Sequence, residues 1–422
     1  MAPLPMQDRR DVIIVGAGII GLCSALSCAR RGLRVTVVDR APRQRDGCSF
    51  GNAGMIVPSH FIPLAAPGMV TLGLKWMLDP ESPFYIRPRP SLDLLRWGLG
   101  FFRAASAARV DRAAPVLRDL SLLSRQCYEE LGFDIGLVKK GLLMLCKEER
   151  TLEEEAHVAQ RAEALGIPAQ VLDARQTAAA DPGVTMYVHG SVFYPLDCHL
   201  SPSRLMTALE TELETMGAEL LHGHEVQGWE KGTRNGRALL TGLRAGNRLL
   251  SADEYVIAAG VWSDEMAQHL GLRLTMQAGK GYSLTLTSPR RLPELCSICT
   301  EARLAVTPMD GALRVGGTME LAGMDESISH RRVRGIIRSF PKYFPDFTEA
   351  DFSGLQPWSG LRPVPPDGLP YLGRTRLWAN LTVATGHAMM GLSLAAATGR
   401  IVADFVTDST PPLDLALLSP DR

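Results

Sequence analysis

"DVIIVGAGIIGLCSALSCARRGLRVTVVDR", Asp11 to Arg40, carries the chain's clearest architectural signal. Val12 to Val15 is an unbroken apolar run, as a strand buried on both faces requires. Gly16, Gly18 and Gly21 follow in G-x-G-x-x-G spacing. An apolar helix is predicted over about Ile19 to Arg31, with Gly32 as its stop. A second strand, "LRVTVVDR", ends at Asp39. Each part has a task in holding a dinucleotide. Gly16 permits the tight turn, Gly18 lets backbone approach a pyrophosphate, and Gly21 lets helix and strand pack closely. The helix N-terminus offers unpaired N–H groups to the phosphates. Asp39 is placed to accept ribose hydroxyls, which disfavours a 2′-phosphate and so NADP. The expected binding set here is Gly16, Ala17, Gly18, Ile19, Ile20, Gly21, Asp39 and Arg40. The motif by itself does not separate NAD from FAD.

The following segment, "RAPRQRDGCSFGNAGMIVPSH", is too irregular for a helix. Its glycines and hydroxyls, with Ser49, Asn52 and Gly54 among them, suit a loop that wraps more of a large cofactor. A plain surface loop is the alternative.

A chain of 422 residues predicts two or three structural units. Charged residues make up 21%, with 45 basic against 45 acidic. That balance gives no global field to hold nucleic acid. The start, "MAPLPMQDRR", lacks the apolar core of a signal peptide. Eight scattered cysteines form no disulfide framework, so a reducing compartment is expected. Cys296 and Cys299 make one C-x-x-C without a partner pair, read as ordinary thiols, and no metal site is expected.

The rest reads as a nucleotide fold broken by insertions. Helices are expected at 91–108 and about 114–131, and a strand at "GLLMLC", Gly141 to Cys146. Thr151 and Glu154 read as a capping box that starts a helix. Ser201 reads as an N-cap with Pro202 at the first helical position. Tyr255 to Ala258 is a buried strand that turns at Gly260. "AGKGYSLTLT", Ala278 to Thr287, alternates like an antiparallel strand. The expected class is α/β, α+β overall: a Rossmann-like domain with an inserted antiparallel-sheet substrate domain. Its nucleotide-binding parts are placed at 10–90, 196–270 and 351–410, and its substrate parts at 91–195 and 271–350. Leu381 to Gly399 carries no formal charge, which raises a membrane helix. Its glycines, Ser and Thr instead fit a buried strand, a turn at Gly386 and a tightly packed core helix.

Together "VIIVGAGIIGL…VVDR", "SFGNAGMIVPS", "LAAPGMVTLGLKWML", "KGYSLTL", "LRVGGTMEL", "WSGLRPVPPDGLPYLGRT" and "ATGHAMMGLSLAAATG" resemble the FAD-dependent D-amino acid dehydrogenase and oxidase superfamily. The likeness is greatest to the bacterial small-subunit dehydrogenase type, and extends to D-hydroxyproline dehydrogenases. It implies that Gly16 to Gly21, Asp39 and Arg40 hold the ADP half of FAD. It places Ser49, Asn52, Ala53, Gly54 and Met55 along the pyrophosphate and flavin edge. Val226 would contact adenine through its backbone, Gly260 would border the same cofactor, and Gly386, His387, Met390, Gly391 and Leu392 would cover the flavin pyrimidine. Arg362, in "GLRP", matches the arginine that grips the substrate carboxylate. Tyr282, His387 and His60 are weaker catalytic candidates. Some relatives attach flavin through a cysteine near "GLRP". No cysteine follows Cys299, so non-covalent FAD is expected.

The implied reaction is oxidation of a small D-amino acid by hydride transfer from Cα to flavin N5. It gives an imine and then a 2-oxo acid. The resemblance favours a quinone or an electron-transfer partner over oxygen. D-Proline or cis-4-hydroxy-D-proline, giving a pyrroline carboxylate, is the rival substrate. A non-catalytic flavin-binding subunit of a hetero-oligomer is the rival of another class. A cytoplasmic location is expected. Phe61 to Phe102, with Trp76, Trp97 and Phe101-Phe102, suggests a peripheral contact at the inner face of a bacterial membrane, against the plainer reading of packing over the core. No oligomeric state follows from the sequence.

Overall fold

The computed structural model describes residues 9–76 and 82–422. Asp11–Val15 forms the predicted strand near the middle of a six-stranded sheet. Arg34–Asp39 and Glu254–Ile257 flank it, both parallel. Glu219–His222 and Leu381–Thr385 extend the sheet on either side in the same sense. Tyr371–Arg374 closes one edge antiparallel. The helix Ile19–Arg30 makes the first crossover, the connection a parallel pair demands. The sheet is thus assembled from segments spread along the chain from Asp11 to Thr385.

The uncharged C-terminal segment resolves as read. Leu381–Thr385 is a fully buried strand, and Gly391–Val406 is the following helix. Ala388–Val406 is long and apolar enough to span a bilayer, yet 72% of it is buried within the protein. It packs on Ile19–Arg30, and a Cβ at Gly399 would lie 2.4 Å from the Cys23 carbonyl oxygen. A third helix, Ala107–Glu129, donates the Tyr128 hydroxyl to the Leu392 carbonyl at 2.6 Å.

The second sheet has nine strands. Trp358–Val364, Gln277–Leu286, Ala312–Leu321 and Leu304–Met309 form its antiparallel ladder. It is not wholly antiparallel. Leu142–Cys146 runs parallel to Cys296–Cys299, and Phe84–Ile86 parallel to Ala312–Leu321. Those pairs join strands from separate insertions, so no hairpin fixes their sense. Sheet membership also crosses the expected boundaries at 90/91 and 350/351. Phe84–Ile86 and Trp358–Val364 both pair into this second sheet.

Local differences have local causes. The helices expected at 91–108 and 114–131 are Leu92–Ala104 and Ala107–Glu129, with Ser106 as the N-cap of the second. Pro115 lies inside that second helix, where Ala113, Ala114, Leu117 and Leu120 bury its face and offset one lost backbone bond. The expected capping box at Thr151 lies within Glu149–Ala164, whose N-cap is Glu148. Ser201 does cap Pro202–Thr215, accepting from Arg204 N. Cys296 and Cys299 are buried in two different hydrophobic clusters, so their thiols serve opposite faces of one strand.

Candidate active site

A cavity of about 430 Å³ opens at the carboxyl ends of the parallel strands. Gly16 there has φ +109°, and a Cβ on it would meet the Ala258 oxygen at 2.5 Å. A Cβ at Gly21 would fall 1.8 Å from the Gly16 oxygen, so only glycine allows the helix this close to the turn. Asp39 Oδ2 accepts from Ala17 N at 2.6 Å, and Oδ1 from Ala41 N at 2.7 Å. These bonds fix the carboxylate at the strand end. Ser49 Oγ accepts from Ile19 N at 3.0 Å, tying the wrapping loop to the helix N-terminus.

Of the residues expected around a cofactor, fourteen line this first chamber: Gly16, Ala17, Gly18, Ile19, Ile20, Asp39, Arg40, Ser49, Asn52, Val226, Gly260, His387, Gly391 and Leu392. Ala53, Met55 and Met390 instead line a second chamber of about 460 Å³. Gly21, Gly54 and Gly386 line neither. They permit close approach: a Cβ at Gly54 would lie 2.2 Å from the Leu200 oxygen, and one at Gly386 2.8 Å from Pro365 Cγ.

The two chambers share Cys48, Asn52 and Arg362 as a common wall. Behind that wall the second sheet holds the loop. Arg314 Nη1 donates to the Phe50 and Asn52 oxygens at 2.9 and 2.8 Å, and Ser283 Oγ donates to the Gly51 oxygen at 3.1 Å. Trp358 packs so close that a Cβ at Gly51 would be 2.0 Å from its ring.

Arg362 is half-buried, and its Nη1 donates to the Thr318 oxygen at 2.9 Å. Among the described residues no carboxylate pairs with it. Burial pulls its pKa below the usual value, with the Cys48 thiol as the facing group. Its guanidinium lies over Gly281, where a Cβ would sit 2.1 Å from Nη1 and Nη2. The second chamber behind it is mostly apolar, with Phe84, Trp97, Phe101, Met319 and Met390 on its walls. Trp97 Nε1 donates to the Val364 oxygen at 2.8 Å.

The three weaker candidates divide. Tyr282 belongs to the wall of the second chamber, but its ring is buried in the adjoining core and its hydroxyl donates to Glu320 Oε2 at 2.6 Å. His387 is buried in the first chamber. Its Nε2 lies 3.0 Å from Thr398 Oγ1 and its Nδ1 has no hydrogen-bond partner. Burial lowers its pKa to about 3, so the ring is neutral. His60 lines the second chamber with Nδ1 on Ser59 Oγ at 3.0 Å. Residues that sequence reasoning missed include Arg45, Cys48, Trp262, Gly281, Arg314 and Trp358. Arg45 donates to the Ala17 oxygen and to Glu210, each at 2.6 Å, and Arg40 lies 3.9 Å over the Trp262 ring.

The first chamber fits a long dinucleotide. Two helix N-termini, at Ile19 and Gly391, line it, and neither N-cap residue supplies a side-chain cap. The orphaned His387 Nδ1 lies in the same chamber. An acid at one end, glycine turns between, and the Arg362 guanidinium opening onto a mostly apolar pocket define a dinucleotide-dependent oxidoreductase. The chain belongs to the FAD dependent oxidoreductase (DAO) family, whose model matches residues 11–405. FAD is therefore its cofactor. Glycine oxidase from Geobacillus kaustophilus is similar at 25% identity and a TM-score of 0.74, covering 98% of this chain and 99% of that one. L-Proline dehydrogenase from P. horikoshii is similar in fold, at 18% identity, a TM-score of 0.72 and coverage of 99% and 98%. L-alpha-glycerophosphate oxidase from Mycoplasma pneumoniae, solved with FAD bound, shares the fold at 18% identity, a TM-score of 0.71 and 95% coverage of each chain.

Proposed function

We propose that the protein oxidises an apolar D-amino acid or cyclic imino acid to its imine, with non-covalent FAD, and passes the electrons to a quinone or another non-oxygen acceptor. The observation that carries this is the half-buried Arg362 guanidinium, unpaired with any described carboxylate, in the wall between the nucleotide chamber and an apolar pocket. A fork of N–H donors suits a carboxylate, held by two parallel bonds. Gly281 leaves the space in which that fork lies. The substrate side chain then faces Trp97, Phe101 and Met319. FAD, when bound, supplies the two-electron acceptor for the substrate's Cα–H bond. The protein's own contribution is orientation: carboxylate on Arg362, side chain in the apolar chamber, Cα against the shared wall. Likeness of "KGYSLTL" and "WSGLRPVPPDG" to the dehydrogenase branch supports the D configuration. A row of exposed apolar side chains on Leu92–Ala104, over the pocket, supports an acceptor that lives in a membrane.

Anaerobic addition of D-alanine, D-valine, D-proline and cis-4-hydroxy-D-proline to the yellow protein tests the reading. Bleaching of the flavin band by at least one of them is expected. No bleaching by any would remove the substrate class. Acid precipitation should leave the yellow colour in the supernatant. A yellow pellet would mean a covalent link, with Cys48 as the thiol in reach of the chamber.

A further inference from the structure

Asp197 is fully buried, in the turn between the strands Gly190–Tyr194 and Cys198–His199. It makes no ion pair with a described residue. Its Oδ1 accepts from Ser59 N at 3.1 Å, and its Oδ2 accepts from the Ser59 hydroxyl at 2.5 Å. Ser59 Oγ also lies 3.0 Å from His60 Nδ1. A carboxylate only accepts, so the single hydroxyl proton of Ser59 points to Asp197. The serine lone pairs are left to accept from His60 Nδ1–H. That order sets the neutral ring as the Nδ1–H tautomer and leaves Nε2 without a proton. His60 lines the chamber that holds Arg362 and the apolar pocket.

We propose that His60, Ser59 and Asp197 form a proton relay that strips the ammonium group of the bound substrate. The proposal rests on the amino acid reading above, since only an ammonium substrate needs it. A substrate N–H bond breaks as a bond forms to His60 Nε2. The Nδ1 proton passes to Ser59 Oγ, and the Ser59 hydroxyl proton passes to Asp197 Oδ2. Net, one proton moves from ammonium to the buried carboxylate, and the amine lone pair becomes free to form C=N. Ser59 and Asp197 act through His60, which alone meets substrate.

The surroundings fit a relay with its sink inside. Burial raises Asp197 to about 7, with Arg125 the nearest cationic influence. Tyr194, Cys198 and Cys296 also face Asp197, and burial pushes all three up, so they stay neutral. Burial, then Arg303, lowers His60 to about 4, so the ring hands the proton on rather than keeping it. A turn that needed only anchoring would be served by a neutral amide at lower desolvation cost.

The test uses FAD-loaded protein, Ser59→Ala and His60→Gln variants, and stopped-flow flavin bleaching from pH 6 to 10. Wild type should hold its rate at pH 8 and lose it as pH falls through about 7. Each variant should fall about 10-fold per pH unit below the amine's own pKa and converge on wild type near pH 10, about 100-fold down at pH 8. An unchanged profile, or the same fold-loss at every pH, would overturn the relay. Nitrogen-15 spectra of His60 give a readout independent of turnover. The Nδ1–H tautomer is expected, with shifts that follow a midpoint near 7 and stop doing so in Asp197→Asn. An Nε2–H tautomer, or no response to Asp197, sinks the wiring whatever the substrate. If the wiring stands and no amino acid bleaches the flavin, the substrate reading fails and the relay falls with it as a catalytic device.

Discussion

Arg362 and Gly281 occupy one space, which separates their two failures. Arg362→Ala removes the cation and should weaken substrate binding at least about 100-fold, the loss of a charge-assisted bidentate pair. FAD content should be unchanged, because most of the residues proposed to hold the nucleotide line the other chamber. Near-normal substrate affinity would dismiss the carboxylate role. Gly281→Ala keeps the cation but pushes a methyl into it, 2.1 Å from the guanidinium nitrogens. The atom displaced is the far end of a flexible side chain. Unfolding should therefore shift by no more than about 1 kcal/mol while substrate affinity falls about 10-fold or more. Parallel denaturation and anaerobic titration of the same preparation would check both halves. Tyr282 shows why this glycine was hard to read. "KGYSLTL" alternates, and a one-residue change of register exchanges the two faces of a strand. Gly281 faces the Arg362 guanidinium and Ser283 the Gly51 loop, while the Tyr282 and Leu284 side chains pack into the adjoining core.

The helices Ile19–Arg30 and Gly391–Val406 carry the nucleotide chamber between them. Their packing depends on Gly399, opposite the Cys23 carbonyl at 2.4 Å from an added Cβ. Backbone cannot swing aside as a side chain can, so Gly399→Ala should cost about 1–3 kcal/mol and lower FAD affinity. Retained affinity with normal stability would mean the two helices are not held as a unit. Leu92–Ala104 makes a different prediction. Leu92, Leu95, Leu99 and Phe102 are 50–71% exposed and repeat at helical spacing. Trp76's side chain and residues 77–81, part of the expected membrane face, lie outside the described residues. Wild type should float with anionic liposomes, and Leu95→Ser with Leu99→Ser should not. Equal sedimentation of both would leave the row as bare surface. Strong local signals were legible, namely the glycine turn, the Ser201 cap and the strand at Leu381, whereas the Thr151 capping pattern lies inside a helix that starts earlier. Arg45, Arg314 and Trp358 were not legible, because their partners lie 28 to 312 residues away and no local pattern announces such contacts. The relay's Asp197 was hidden for the same reason, 138 residues from Ser59.

Across the whole molecule, buried titratable groups set opposing pH slopes. His199 and His387 are held neutral, lowered by burial to about 4 and about 3. The unfolded chain protonates them near 6.5, so it binds more protons than the fold as pH drops below that value. Their contribution is whole above about pH 6.5 and is lost toward pH 4, at roughly 1 kcal/mol each by pH 5.5. Asp197 runs the other way. Raised to about 7, it favours the fold in acid and loses that effect as pH rises from about 4 to 7. His60, lowered to about 4, adds to the two histidines. Three groups outweigh Asp197, so urea unfolding with saturating FAD should show stability falling from pH 7 to 5.5. His199 lies outside the cofactor and substrate walls, and its Nδ1 has no hydrogen-bond partner. His199→Gln should make the acid slope shallower by about 1 kcal/mol, whereas Asp197→Asn should make it steeper. The same slope in wild type and His199→Gln would show that this histidine titrates freely in the fold, and that its pocket admits water.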